Sequence, residues 1–191
     1  MDIFEQKRVL KSFKVVIDTR EQPTKRAEKR YQAFGAPFER ATLDFGDYTY
    51  NATLPDGRPL YDTESRIVPA CAIERKMDLD ELAQCYTTSR KRFQAEFERA
   101  KAAGARIYLI VENGNMENLL NGRYRSRFNA NAFVGSVTAY MVRYGAQLVF
   151  CKEETSGRLI REILYRDLKE RLERGDFDEG MDKGIPKAKA E

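Results

Sequence analysis

Three short apolar runs constrain this chain more than any other feature. Phe13 to Ile17 leads into Asp18-Thr19-Arg20-Glu21, Cys71 to Ile73 leads into Glu74-Arg75-Lys76, and Ala105 to Val111 (ARIYLIV) follows the turn at Gly104. Runs of this length suit buried strands and are too short to cross a membrane as helices. Between and after them the period changes. Leu79, Leu82, Ala83, Tyr86, Phe93, Phe97 and Ala100 recur mostly at three or four, which predicts a long helix interrupted around Thr87-Thr88-Ser89. Asn129 to Tyr144 has the same spacing and stops at Gly145, Gln147 to Cys151 reads as a strand, and Gly157 to Leu172 as a charged amphipathic helix. Earlier, KRAEKRYQAF reads as a helix closed near Gly35 and Pro37, Phe38 to Leu43 as a strand, and Gly46-Asp47-Tyr48 as the turn into another. The pattern predicts an α/β fold, a central mixed sheet flanked by helices.

At 191 residues the chain is long enough for one substantial core. We expect an N-terminal arm at 1–12, one domain at 13–175, and a disordered tail from Asp176, where no apolar face remains. Turn-rich PDGRPLYDTESRIVPA marks an insertion near 54–70, read as a surface hairpin or as a contact for DNA or a partner, and Tyr48-Thr49-Tyr50 should alternate one packed with one exposed position. The first residues, MDIFEQKRVLKSF, lack the apolar stretch of a signal peptide, so a cytoplasmic protein with no membrane role is expected.

The chain contains no histidine, and its three cysteines are scattered without a CxxC spacing. A disulfide framework, a structural zinc site and Ser-His-Asp or Cys-His nucleophiles are therefore disfavoured. Acid, amide and metal chemistry remain. Asp18, Asp47, Glu74 and Asp80 stand at strand ends, a turn and a helix start, where their carboxylates could converge. A hard cation, Mg²⁺ or Mn²⁺, would relieve their repulsion. Strand alternation puts Glu74 and Lys76 on one face and Arg75 on the other, which fits phosphodiester hydrolysis. Each residue also has an ordinary reading: an isolated E-x-K as a solvated strand end, Asp47 as a turn residue, Asp80 as a helix first-turn acid.

Taken together, FKVVIDTRE, LDFGDY and IERKMDLDEL resemble, in sequence and order, the ERCC4-type nuclease domain of the XPF and Hef family of structure-specific endonucleases. That signature reads GD, then ERK, three residues, D. Gly46-Asp47, Glu74-Arg75-Lys76 and Asp80 match it, with Asp78 an off-register neighbour, and the likeness spans about 13 to 155. The resemblance implies a restriction-endonuclease-like, PD-(D/E)xK core and metal-dependent cleavage of DNA at a branch, flap or fork. It implies Asp18, Asp47 and Glu74 around Mg²⁺ or Mn²⁺, Lys76 assisting the attacking water, and Arg75 and Asp80 supporting site and substrate. Two departures stand out: the long interval before Glu74, and residues 157–191, too short for the tandem helix-hairpin-helix module of many relatives.

For DNA contact the candidates are Arg20, with Arg90 and Arg92 in the basic stretch that also holds Lys91, Arg99, Lys101 and Arg106, and Arg123, Arg125 and Arg127 in the loop NGRYRSRF. There the arginines could meet phosphates while Tyr124 packs on an opened base or sugar. Phe133, Val134, Val137, Tyr140 and Met141 could serve the core or, less economically, a homodimer or partner interface. The rival readings are an inactive DNA-binding or partner-scaffolding protein, and a Holliday-junction resolvase.

Overall fold

Val15, Val16 and Ile17 are all fully buried in β1 (Lys14–Asp18), so both faces of this strand are covered. Such a strand belongs inside a sheet with a layer on each side. The computed structural model, which describes residues 1–178, shows that sheet. β1 runs parallel to β2 (Phe38–Ala41) and antiparallel to β3 (Tyr48–Asn51). β3 is antiparallel to β4 (Cys71–Lys76), which is followed in parallel by β5 (Arg106–Glu112) and β6 (Gln147–Cys151). The order is β2-β1-β3-β4-β5-β6, the mixed sheet expected from the sequence.

One face carries α1 (Ile3–Lys11), α2 (Lys25–Gln32) and α7 (Glu153–Glu173). The other carries α3 (Leu79–Tyr86), α4 (Arg90–Ala102), α5 (Met116–Leu120) and α6 (Ala130–Tyr144). Alternation along β4 separates the two cores: Cys71 and Ile73 join the first, Ala72 the second. The helix break falls at residues 87–89, between α3 and α4. No helix among the described residues is long and apolar enough to cross a membrane.

Several segments depart from expectation. The arm of residues 1–12 carries α1, started by an Asp2–Glu5 capping box and packed through buried Val9. The insertion is no free surface hairpin, because Leu60, Tyr61 and Ile67 are buried and Asn51 donates to the Tyr61 carbonyl at 3.0 Å. Tyr48, Thr49 and Tyr50 are all fully buried, since β3 is internal rather than one-sided. Asp176 pairs with Arg171 and Arg174, Phe177 lies under the Arg171 guanidinium at 4.6 Å, and Asp178 meets the Met1 amino group at 2.5 Å. The remainder of the expected tail, 179–191, lies outside the described residues.

The topology gathers chemistry on one edge. Ile17 faces Tyr48 and Tyr48 faces Ile73, so the end of β1 and the start of β3 meet the middle of β4, whose residues 74–76 run on beyond them alongside the end of parallel β5. Gly46 makes the turn into that edge at φ +77°, where a Cβ would stand 2.9 Å from the Ala72 Cβ. Only glycine accepts both the backbone angle and the close approach.

Candidate active site

Asp47 is held from two directions. Its backbone N–H donates to the Ile73 carbonyl at 2.7 Å, and its carboxylate Oδ2 accepts from the Arg75 backbone N–H at 2.7 Å. These bonds pin the Gly46–Asp47 turn against Glu74-Arg75-Lys76. Glu74 and Lys76 share one face of β4, as alternation requires, and Lys76 Nζ lies 2.5 Å from Glu74 Oε1 and 5.4 Å above the Phe93 ring. Asp47 Oδ1 and Glu74 Oε2 accept no hydrogen bond among the described residues.

Glu74 is almost wholly buried, and burial, followed by the Asp47 charge, pushes its carboxyl up to about 8; Lys76 opposes the rise and Glu96 adds to it. Burial pulls the Lys76 ammonium down, but Glu74 and Asp47 outweigh it and the net shift is upward. Both shifts are upward because the Asp47 and Glu96 charges crowd Glu74 in a buried place where Lys76 is its partner.

Asp18, expected among the metal ligands, is otherwise engaged. Its Oδ1 accepts the Arg20 backbone N–H and Nε, both at 2.7 Å, and its Oδ2 accepts Arg20 Nη2 at 3.1 Å and the Leu43 N–H at 2.9 Å. Four donors fill most of a carboxylate's acceptor capacity. Arg20 therefore stands at the site mouth as a counter-charge, with Nη1 also 4.0 Å from Glu96 Oε1. Glu96 is the site acid that sequence reasoning missed. It sits one helical turn beyond Phe93, beside the apolar stripe of α4, and that offset was its only signal.

On the opposite face, Arg75 enters a buried charge network. Its Nη1 donates to Glu112 Oε2 at 3.0 Å, while Arg30 Nε donates to Glu112 Oε1 at 3.0 Å. Arg30 Nη1 also reaches Glu21 at 3.3 Å and the Tyr48 hydroxyl at 3.1 Å, and that hydroxyl donates to Glu21 at 2.9 Å. Burial and the Asp47 charge raise Glu21, with Arg75 opposing them. Sequence reasoning missed Arg30 and Glu112, whose partners are far away in the chain.

Asp80 is engaged by the loop that follows α5. It accepts the Arg125 Nε at 2.9 Å and the Ser126 N–H at 2.6 Å, while Asp78 accepts Arg125 Nη2 at 3.3 Å. Burial pushes against ionisation, but Arg125 and Ser126 hold the Asp80 carboxyl below its usual range. Arg90, Arg92, Arg123 and Arg127 are exposed and form no ion pair among the described residues. Tyr124 faces inward, 5.2 Å from the Phe133 ring with its hydroxyl on the Phe128 carbonyl, so it is not displayed to stack on a base. Arg106 begins β5, at the end of the strand away from Glu74, and pairs with Asp167 at 3.0 Å. It cannot form one surface with the carboxylates.

Among the described residues, no three His, Cys, Asp or Glu groups assemble into a metal-holding cluster. The available donors are the open carboxylate oxygens of Asp47 and Glu74, with the Glu96 carboxylate close enough to raise Glu74. That donor chemistry fits a hard divalent cation. The cysteines offer no competing chemistry, since Cys85 and Cys151 are pushed up to about 11, chiefly by burial, and burial also raises Cys71 well above its usual value.

A search of curated proteins finds no match. Among solved structures, the chain is similar to XPF from Aeropyrum pernix, with 18% identity and a TM-score of 0.54, over 81% of this chain and 61% of that one. XPF from Aeropyrum pernix in complex with DNA matches with 20% identity and a TM-score of 0.54, over 82% and 65%. This chain thus spans less than two thirds of either, and at these identities the likeness shows a common fold, the restriction-endonuclease-like core. The ERCC4 domain model matches residues 17–163, the span that runs from β1 through most of α7 and contains every acid of the edge described above, and on that match the chain belongs to the ERCC4 domain family of nucleases.

Proposed function

We propose that this protein is a divalent-metal-dependent endonuclease that hydrolyses phosphodiester bonds in branched, flap or forked DNA. The observation that carries the reading is the buried Glu74–Lys76 pair beside Asp47, which is held by the Arg75 N–H, with a carboxylate oxygen of Asp47 and one of Glu74 left open. The ERCC4 membership and a structural neighbour described as bound to DNA support it.

Asp47 and Glu74 would hold Mg²⁺ or Mn²⁺, and Asp18 would join them only where Arg20 leaves it. The cation, when bound, supplies Lewis acidity toward the phosphate and lowers the pKa of a coordinated water. Lys76, an ammonium fixed at Glu74, directs the attacking water and offsets charge developing on the phosphate. The Arg75 backbone N–H orients Asp47, while Arg90, Arg92, Arg123 and Arg127 meet the DNA backbone without reading bases.

The test is metal-dependent cleavage of labelled linear, flap, fork and four-way DNAs by wild type and Glu74→Gln. Products that need Mg²⁺ or Mn²⁺ and disappear in the variant are expected, with cuts at the junctions of flaps or forks. Binding without cleavage under either metal would replace the nuclease by a DNA-binding scaffold, and paired symmetric cuts confined to the four-way DNA would replace it by a resolvase.

A further inference from the structure

The last acid of the motif, Asp80, lies four residues beyond Lys76 and yet contacts a different part of the chain. Its two carboxylate oxygens are divided between the Arg125 guanidinium and the Ser126 backbone N–H, and Asp78, the N-cap of α3, takes the other side of the same guanidinium. Together they fasten the segment Asn121–Phe128 onto the first turn of α3. The helix follows the end of β4, so the fastening is made to the element that leads directly out of the strand carrying Glu74 and Lys76.

The segment is built to be fastened. Its residues alternate: Tyr124, Ser126 and Phe128 are partly buried, whereas Arg123, Arg125 and Arg127 are exposed. Tyr124 and Phe128 pack on the Phe133 ring at 5.2 and 5.3 Å, and Tyr124 closes the turn through the Phe128 carbonyl. On the outer side, Arg125 is spent on Asp78 and Asp80 although its side chain is 83% exposed, which leaves Arg123 and Arg127 without an ion pair among the described residues. A flanking arginine on each side of a bolted one, on a loop fastened to the helix that leaves β4, has the form of a phosphate clamp.

We propose that Asp80 is a positioning residue that bolts this loop through Arg125 and Ser126, so that Arg123 and Arg127, and not Arg125, grip the DNA backbone beside the scissile phosphate. The inference rests on the nuclease reading for its substrate, but the bolt itself does not. Neutralising Asp80 releases the loop and weakens the grip, while the carboxylates and Lys76 remain in place. Arg125→Ala removes the same bolt from the other end and must give the same phenotype. Asp80→Asn retains an acceptor for the Ser126 N–H and should fall between Asp80→Ala and wild type.

Two measurements on the full chain test it. The first needs no DNA: limited trypsin cleavage within residues 121–128 should accelerate about tenfold in Asp80→Ala and in Arg125→Ala, as the freed backbone can extend into the protease cleft at its already exposed arginines. Equal rates in wild type and variants would overturn the bolt and leave the nuclease reading untouched. The second is steady-state cleavage and anisotropy binding of a flap DNA across salt concentrations. Asp80→Ala and Arg125→Ala should each raise KM about tenfold with kcat within about threefold, and reduce the salt slope by about 1 to 2, the loss of one or two phosphate contacts. The double variant should be no worse than either single one. A fall in kcat of about a hundredfold or more in Asp80→Ala, with Arg125→Ala near wild type, would place Asp80 at the reacting phosphate and overturn the proposal. Loop release by trypsin with no DNA binding or cleavage in wild type would retain the bolt and reject both the nuclease reading and the clamp built on it.

Discussion

Glu112→Gln removes one charge from a buried set of four and leaves its shape almost unchanged. Glu112 is 1% exposed, Arg30 3% and Arg75 14% by side chain, and both guanidiniums donate to the Glu112 carboxylate at 3.0 Å. With Glu21 the set balances, two arginines against two glutamates. After the substitution, two guanidiniums share Glu21 alone, 3.3 Å from Arg30 and 3.9 Å from Arg75. Breaking a buried pair by removing one partner costs about 3–5 kcal/mol, because the remaining charge has lost both water and its counter-ion. Glutamine retains one acceptor oxygen, so the lower end, about 3 kcal/mol, is expected. That is a large fraction of the total stability of a domain, about 5–15 kcal/mol.

Urea denaturation of purified wild type and variant reads this directly, as a lowered midpoint with an unchanged m-value. Thermal unfolding should fall by about 6–12 °C at this chain length. Combining Glu112→Gln with Arg30→Gln should cost less than the sum of the two by about 1 kcal/mol or more, since the second change removes the charge that the first one stranded. A single-variant loss under about 1 kcal/mol, the range of exposed pairs, would refute the reasoning. Arg75 would then be held by packing and not by charge.

Two further outcomes follow from the same edge. Folding raises the Glu74 carboxyl from 4.5 to about 8, so between those values the metal-free folded protein binds more protons than the unfolded chain. Its stability must therefore fall as pH rises through that window, by up to about 1.4 kcal/mol per unit. Urea midpoints at pH 5.5 and 7.5 should separate in wild type and converge in Glu74→Gln; the same slope in both proteins would reject the shift. Gly46→Ala places a methyl 2.9 Å from the Ala72 Cβ and 3.2 Å from the Ile73 carbonyl oxygen at a φ of +77°. A loss of roughly 1–3 kcal/mol in denaturation is expected, and wild-type stability would show that the turn has room the geometry denies it.

The fold was legible where the sequence carried a strong period. β1, β4 and β5 are apolar enough to read as strands, and α6 ends at Gly145, whose φ of +64° marks a left-handed cap. α1 was hidden because only Val9 of its nine residues is buried, and a helix with so little apolar face resembles a charged arm. β3 misled for the opposite reason. Alternation suggested one solvated side, but a strand between two neighbours with helices on both faces buries Thr49 as fully as its tyrosines.

Local motifs in the site were legible in the same limited sense. Gly46-Asp47 and Glu74-Arg75-Lys76 could be named because strand alternation and turn chemistry act over a few residues, and the sheet does bring them together. What a carboxylate does after arriving depends on which donors reach it from elsewhere. Asp18 and Asp80 have the same residue types in their motifs as ligands would have, yet Leu43 and Arg20 take the first, and Arg125 and Ser126 the second. Glu96 has no motif and stands near Glu74 and Arg20 only because α4 packs Phe93 beneath Lys76. Charge placed by packing is invisible to spacing along the chain. The hydrogen bonds an acid has left to make at this edge are set by donors from distant segments, and motif spacing does not carry them.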